Sequence, residues 1–183
     1  MKILGTLAMA ALTQTGFAGN RQESTVTVCT ENLPQIGLLA ESRAAKMFAA
    51  ASVQIAWQSG RSCPTNAIRV RFTSANNPSE FPGAFAYALP YGGTTIVVFY
   101  DRVQQSSPQT AGRSAVLAHV LVHEITHILQ GFAGHSAEGV MKSSFTAADL
   151  SGMVFAPLPF TNIDVFLLQQ GLVQREARQA ASR

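Results

Sequence analysis

The alternation of apolar and polar residues predicts several short β-strands in the first half of the chain. The strand segments are STVTVCT, VQIAW, AIRVRFT and TTIVVFYDRV, with AFAYAL as a further short strand. In AIRVRFT, apolar side chains alternate with Arg69 and Arg71, which is the period of a half-buried strand. TTIVVFYDRV is the most apolar of these segments, so we expect it to lie centrally in the sheet.

Apolar residues at helical spacing mark the remaining segments. The segment LPQIGLLAESRAAKMFAAAS predicts a helix whose first turn suits Pro34. A long helix is predicted from about Arg113 to about Gln130, with Gly131 as its stop. TNIDVFLLQQ predicts a closing helix, and the basic tail QREARQAASR is expected to fray in solvent. This order of elements predicts an α+β fold with one mixed sheet backed by helices.

The N-terminal segment has the features of a secretory signal peptide. Lys2 precedes an apolar run that is too short to span a bilayer, and small residues follow up to Ala18. We therefore predict a signal peptide at residues 1–18, cleavage after Ala18, and a single catalytic domain at residues 19–183. The expected location is secreted or periplasmic, with no membrane span.

The net charge of the chain bears on whether the protein binds nucleic acid. The formal net charge is +3, and removal of Lys2 with the leader would leave +2, carried by scattered basic residues. This balance does not indicate nucleic-acid binding, and we expect a monomer. The two cysteines, Cys29 and Cys63, predict one disulfide in an oxidising compartment, with two buried free thiols as the alternative.

The chemistry of the chain is concentrated in HEITHILQGFAGHSAEGVMK, which begins at His123. His123 and His127 are four residues apart on a helix, so both imidazoles can reach one Zn²⁺ ion. Glu124 points partly off that face, where its carboxylate can take a proton from a zinc-activated water. The alternative is a pair of core histidines, but a glutamate in so apolar a helix is costly unless something requires it.

A catalytic zinc site needs a third protein ligand. His135 is the first candidate, because Gly131 and Gly134 allow the chain to end the helix and turn back towards the metal. Asp149 is the alternative metal ligand, and Glu138 is a weaker one. His119 lies two turns before His127, about 12 Å along the helix, which is too far to share the ion. We therefore interpret His119 as a core histidine or one that orients the site.

These residues resemble the active site of the zincin metallopeptidases, and in particular the metzincins. That group shares H-E-x-x-H-x-x-G-x-x-H and a downstream methionine turn. Here the glycine comes one residue late and the third histidine two residues late, and Met141 stands where the turn methionine is expected. The run from VVFYDRV to HSAEGVM is also similar to small bacterial secreted proteins regarded as predicted zinc peptidases.

The resemblance implies a zincin-like fold and a zinc-dependent peptidase. The fold would be one twisted mixed sheet with a backing helix, an active-site helix and a C-terminal helix. The substrate would be a peptide or protein lying along an edge strand, for which GAFAYALPYGG is the candidate. Tyr87 or Tyr91 could help to hold an oxyanion. Two other functions remain open: a secreted zinc-binding or interaction domain with little turnover, and a zinc amidohydrolase acting on non-peptide amides.

Overall fold

The computed structural model describes residues 24–60, 63–74, 81–90 and 94–181. The predicted signal peptide, residues 1–18, lies outside them. The strands are β1 (Ser24–Glu31), β2 (Val53–Ser59), β3 (Ile68–Thr73), β4 (Ala86–Ala88) and β5 (Thr95–Phe99). The helices are α1 (Gly37–Ala50), α2 (Tyr100–Gln105), α3 (Thr110–Gln130), α4 (Ala147–Gly152) and α5 (Asn162–Ala181).

The strands form one mixed sheet in the order β2-β1-β3-β5-β4. Four of them run parallel, and β4 pairs antiparallel with β5 at the edge of the sheet. The parallel strands carry β-branched and apolar residues that are buried between the sheet and its helices. The predicted mixed α+β sheet is therefore confirmed. The prediction that TTIVVFYDRV is central needs adjustment, because β3 is the middle strand and β5 lies second from the edge.

Helix α3 runs through the core of the molecule. Every residue from Ser114 to Leu129 is buried. The helix packs against α1, α5 and the short edge strand β4. A helix buried along this length holds its side chains in fixed positions, which suits a helix that carries a functional site.

Two element boundaries differ from the sequence prediction. Strand β5 ends at Phe99, paired with Thr73, the last residue of β3, and α2 begins at Tyr100, so the end of the predicted strand is helical. Helix α5 continues through the basic tail to Ala181, so the prediction of a frayed tail is wrong. Tertiary contacts hold its second half, since Arg175 donates to the carbonyl of Asn66 and Glu176 accepts from Ser24.

Cys29 and Cys63 form the predicted disulfide, with their Cα atoms 6.1 Å apart. The bond joins β1 to the segment that precedes β3. Among the described residues, none of the helices combines the length and the apolar character that crossing a membrane requires.

Candidate metal centre and its cleft

The last turns of α3 carry His123, Glu124 and His127, and all three residues are buried. The helix ends at Gly131, whose φ of 75° is the left-handed conformation that glycine adopts without strain. Its N–H donates to the carbonyl of His127, 2.9 Å away. The chain can therefore reverse directly after the second histidine and bring the following loop back over the helix.

The loop after Gly131 brings His135 to the two helical histidines. Its ring centroid lies 5.3 Å from that of His123 and 5.0 Å from that of His127. One nitrogen from each of the three rings can be chosen so that all three atoms lie within 4.8 Å of one another. His123 and His127 are buried, whereas His135 is exposed. The structure thus brings together the three histidines that the sequence suggested as ligands.

Backbone carbonyls set the orientation of the two helical rings. The Nδ1 of His123 lies 2.9 Å from the carbonyl oxygen of Val140, and the Nδ1 of His127 lies 3.2 Å from that of Phe132. A carbonyl only accepts, so each ring carries its proton on Nδ1. The Nε2 atoms are left with free lone pairs, which is the tautomer that a metal ligand needs.

Those two Nε2 atoms face each other at 3.0 Å. One ring would have to be doubly protonated to bridge them with a hydrogen bond. Burial opposes this charge: it lowers the pKa of His123 to about 4, helped by the nearby His127, and lowers the pKa of His127 as well. Two lone pairs at this separation fit a shared cation, since tetrahedral zinc with ~2.0–2.1 Å bonds places its ligands about 3.3 Å apart.

Glu124 lies beside this group in a dry environment. Its side chain is buried, and the loss of solvent raises the pKa of the carboxyl to about 7. The backbone N–H of Ala88, in the edge strand β4, donates to the carboxyl and partly opposes that shift. Glu124 therefore connects the helix that carries the histidines to the edge of the sheet.

A cleft of about 480 Å³ opens in front of the histidines and Glu124. One wall of the cleft is the segment that contains β4. Another is the segment that follows His135 in the chain. The lining residues include Ala86, Ala88, Pro90, Val120, Lys142, Ser144 and Phe145. The cleft has the size of a small-molecule or peptide site, and the three histidines and Glu124 all face it.

The alternative ligand Asp149 is engaged elsewhere. Its carboxylate caps the first turn of α4 together with Thr146 and forms an ion pair with Lys142. The hydrogen bond from Lys142 is the main reason that the pKa of Asp149 falls to about 2. Asp149 is not part of the group of candidate ligand atoms, and Glu138 is exposed to solvent outside that group.

His119 is buried, and both of its ring nitrogens form hydrogen bonds with backbone groups. Its Nδ1 donates to the carbonyl of Ala115 at 2.8 Å, and its Nε2 accepts from the N–H of Leu158 at 3.0 Å. Burial lowers the pKa of its imidazole. His119 thus attaches the segment before α5 to α3. Pro159 in that segment accepts from the N–H of Val140, whose own carbonyl holds His123.

Met141 and Tyr87 occupy different parts of the site region. Met141 is buried, and its carbonyl accepts from the N–H of Ser136, next to His135. Tyr87 lies on β4, and its ring stacks on Phe81 with the centroids 4.5 Å apart. Tyr91, the other candidate oxyanion donor, lies outside the described residues.

Sequence reasoning missed Asp164. This buried carboxylate accepts from the N–H and the hydroxyl of Thr161, both at 2.8 Å, and from the hydroxyl of Ser136 at 2.5 Å. It therefore joins the start of α5 to the loop that carries His135. The spacing from Thr161 to Asp164 is a capping-box signature and predicts a helix start, but it does not predict the contact with Ser136.

The mixed sheet with an antiparallel edge strand and the long helix bearing the histidines define a zincin-like α+β fold. Archaemetzincin from Methanopyrus kandleri is a solved structure with this fold, with a TM-score of 0.59 and 17% sequence identity over 84% of this chain and 98% of that chain. At this identity the similarity establishes the fold. The sequence itself matches no protein-family model and no curated protein.

Proposed function

We propose that the protein is a secreted zinc-dependent metallopeptidase. One observation carries the proposal: His123, His127 and His135 present ring nitrogens within 4.8 Å of one another, and they line a cleft together with Glu124. Three protein ligands with an open side characterise a catalytic zinc site, whereas a structural site closes its shell with four. The zincin-like fold supports the same conclusion.

In this proposal each residue of the site has a distinct role. A zinc ion on the three histidines would supply the Lewis acidity that lowers the pKa of a water molecule and polarises the peptide carbonyl. Glu124 takes the proton from that water and returns it to the leaving amide nitrogen. The carbonyls of Val140 and Phe132 keep the two helical imidazoles in the ligating tautomer throughout.

The edge strand supports an extended peptide as the substrate. Phe85 accepts from the N–H of Phe99 and so faces β5. Backbone groups alternate along an antiparallel strand, so those of Ala86 and Ala88 point away from β5 and towards the cleft. The bond from the Ala88 N–H to Glu124 agrees with this direction. A substrate strand can pair with Ala86 and place its scissile bond near Glu124.

The secreted location rests on the N-terminal sequence and on the disulfide. Residues 1–18 have the pattern of a signal peptide, and a bond between Cys29 and Cys63 persists in an oxidising compartment. We propose that the mature chain begins at Gly19. N-terminal sequencing of protein exported from a bacterial host tests this start.

The functional test compares wild type with Glu124→Gln and the matched control Glu138→Gln, an exposed carboxylate in the same region. We expect about one zinc per chain in all three by elemental analysis. Digestion of a broad peptide library should fall about 10²- to 10⁴-fold in Glu124→Gln and stay unchanged in Glu138→Gln, because only the former loses its general base.

Other outcomes of this test discriminate between the functions. Chains that fold and take up no zinc would refute the metal centre itself. Zinc uptake with no peptide cleavage by wild type would favour a zinc-binding domain or an enzyme acting on non-peptide amides. Equal turnover by wild type and Glu124→Gln would remove Glu124 from the mechanism.

A further inference from the structure

A second cavity, separate from the cleft, lies between α1, α3 and the segment that follows α4. Its volume is about 380 Å³, and none of its lining residues lines the cleft. We call it the α1–α3 groove. It is lined by Leu39, Ser42, Arg43, Lys46, Met47, Ala50, Ala118, His119, Met153, Val154, Phe155, Ala156 and Pro157.

The groove borders α1 over several turns and is lined mainly by apolar residues. The face of α1 that borders it runs from Leu39 to Ala50, about 16 Å of helix. Met47 and Met153 are buried in the floor, and methionine side chains adapt to the shape of an apolar ligand. In the segment that follows α4, Phe155 lines the groove and is 90% exposed. A large aromatic ring left in solvent beside an apolar groove is available to cover an occupant.

The polar groups of the groove are positively charged. Arg43 and Lys46 form no ion pair with any residue that the structure describes, and no acidic residue is among the lining residues. Arg43 lies near enough to His119 for its charge to add to burial in lowering the pKa of that imidazole. Two unpaired cations three residues apart on a helix face fit one carboxylate between them.

The backbone of the groove argues against a peptide as the occupant. The N–H groups of Met153, Phe155 and Ala156 donate within the α4 region, and that of Leu158 donates to His119. Pro157 has no N–H. A peptide lying here would bury main-chain carbonyls against a wall whose N–H groups are already largely used, which costs about 1–3 kcal/mol for each unsatisfied group. A hydrocarbon chain carries no such groups.

We propose that the α1–α3 groove binds a small amphiphilic carboxylate of the class of the medium-chain fatty acids. The hydrocarbon lies over Met47 and Met153 beneath Phe155, and the carboxylate lies between Arg43 and Lys46. The volume stands at the lower end of the ~300–1,000 Å³ range of small-molecule sites, which limits the length of the chain. This binding requires neither zinc nor hydrolysis.

Calorimetry and methionine-methyl NMR on the whole chain test the proposal with octanoate and decanoate. We expect one ligand per chain, tighter binding of decanoate than of octanoate, and weak binding of acetate and octanol, which lack the tail and the charge respectively. The methyl signals of Met47 and Met153 should shift. The signal of Met141 should not, and a shift there would place the ligand at the candidate metal centre.

A charge variant and its control complete the test. Arg43→Gln/Lys46→Gln should weaken decanoate at least tenfold while keeping zinc content and melting temperature. Arg71→Gln/Arg178→Gln removes the same charge at two residues that do not line the groove, and this variant should bind as wild type does. Equal binding by both double variants, octanol binding as tightly as octanoate, or a concentration-dependent dimer that closes the groove would each overturn the proposal.

Discussion

The three candidate ligand histidines differ in what fixes their rings. His123 and His127 are buried and donate from Nδ1 to backbone carbonyls. His135 is exposed and is positioned through its loop, where Ser136 bonds to Asp164 and to the carbonyl of Met141. Two rings are thus held by direct contacts, and the third by the anchoring of its neighbours.

Substitution of single residues tests whether His135 or Asp149 is the third zinc ligand. His135→Ala should weaken zinc binding by more than ~100-fold, because indirect contacts alone are worth about 10- to 100-fold. Asp149→Ala should leave zinc affinity unchanged and lower the free energy of unfolding by about 1 kcal/mol through loss of the α4 cap. Competition with a zinc chelator measures the first quantity, and denaturant titration measures the second. The reverse pattern in zinc affinity would move the third ligand to Asp149.

At the scale of elements, α5 crosses α3 at a point of close backbone contact. A Cβ atom added at Gly171 would lie 1.9 Å from the carbonyl oxygen of Leu129. Neither backbone can move without separating the two helices. Asp164 lies in the first turn of the same helix, so the position of α5 also determines how the loop that carries His135 is held.

Substitution of this glycine tests the crossing. Gly171→Ala should lower the free energy of unfolding by at least about 2 kcal/mol, because the clash is with backbone, and should also weaken zinc binding. Gly152→Ala is the control, since a Cβ there meets nothing within 4 Å and alanine favours the helix by up to ~1 kcal/mol. If Gly171→Ala unfolds at the same denaturant concentration as wild type, the helices do not cross this closely.

For the whole molecule, the disulfide is the covalent link between distant parts of the described chain. Cys29 is fully buried in β1, and Cys63 lies 34 residues later. Closing a loop of this length in the unfolded chain is worth about 3–4 kcal/mol on the chain-entropy account. The bond therefore contributes a large share of the stability of a domain of this size.

Cys63→Ala tests that contribution while leaving the buried sulfur of Cys29 in place. We expect a loss of about 3–4 kcal/mol in the free energy of unfolding, measured by denaturant titration, and a matching loss in reduced wild type. Zinc content of the folded variant should be unchanged, because neither cysteine belongs to the group of candidate ligands. A loss below about 1 kcal/mol would mean that the cross-link adds little to native stability.

The periodic elements and the local chemistry can be predicted from the sequence alone. The spacing of His123 and His127 follows from helical geometry, the stop at Gly131 follows from its conformational freedom, and the strands follow from alternation. These features depend on residues a few positions apart, so they can be predicted without knowing the fold.

The packing of the whole fold determines how distant segments meet. It directed the carbonyls of Val140 and Phe132 to the imidazoles, placed the N–H of Ala88 on Glu124, and buried Asp164 against Ser136. It also kept α5 helical through a polar tail by contacts from β1 and the segment before β3. Such contacts depend on chain packing over tens of residues, and local propensity carries no information about them.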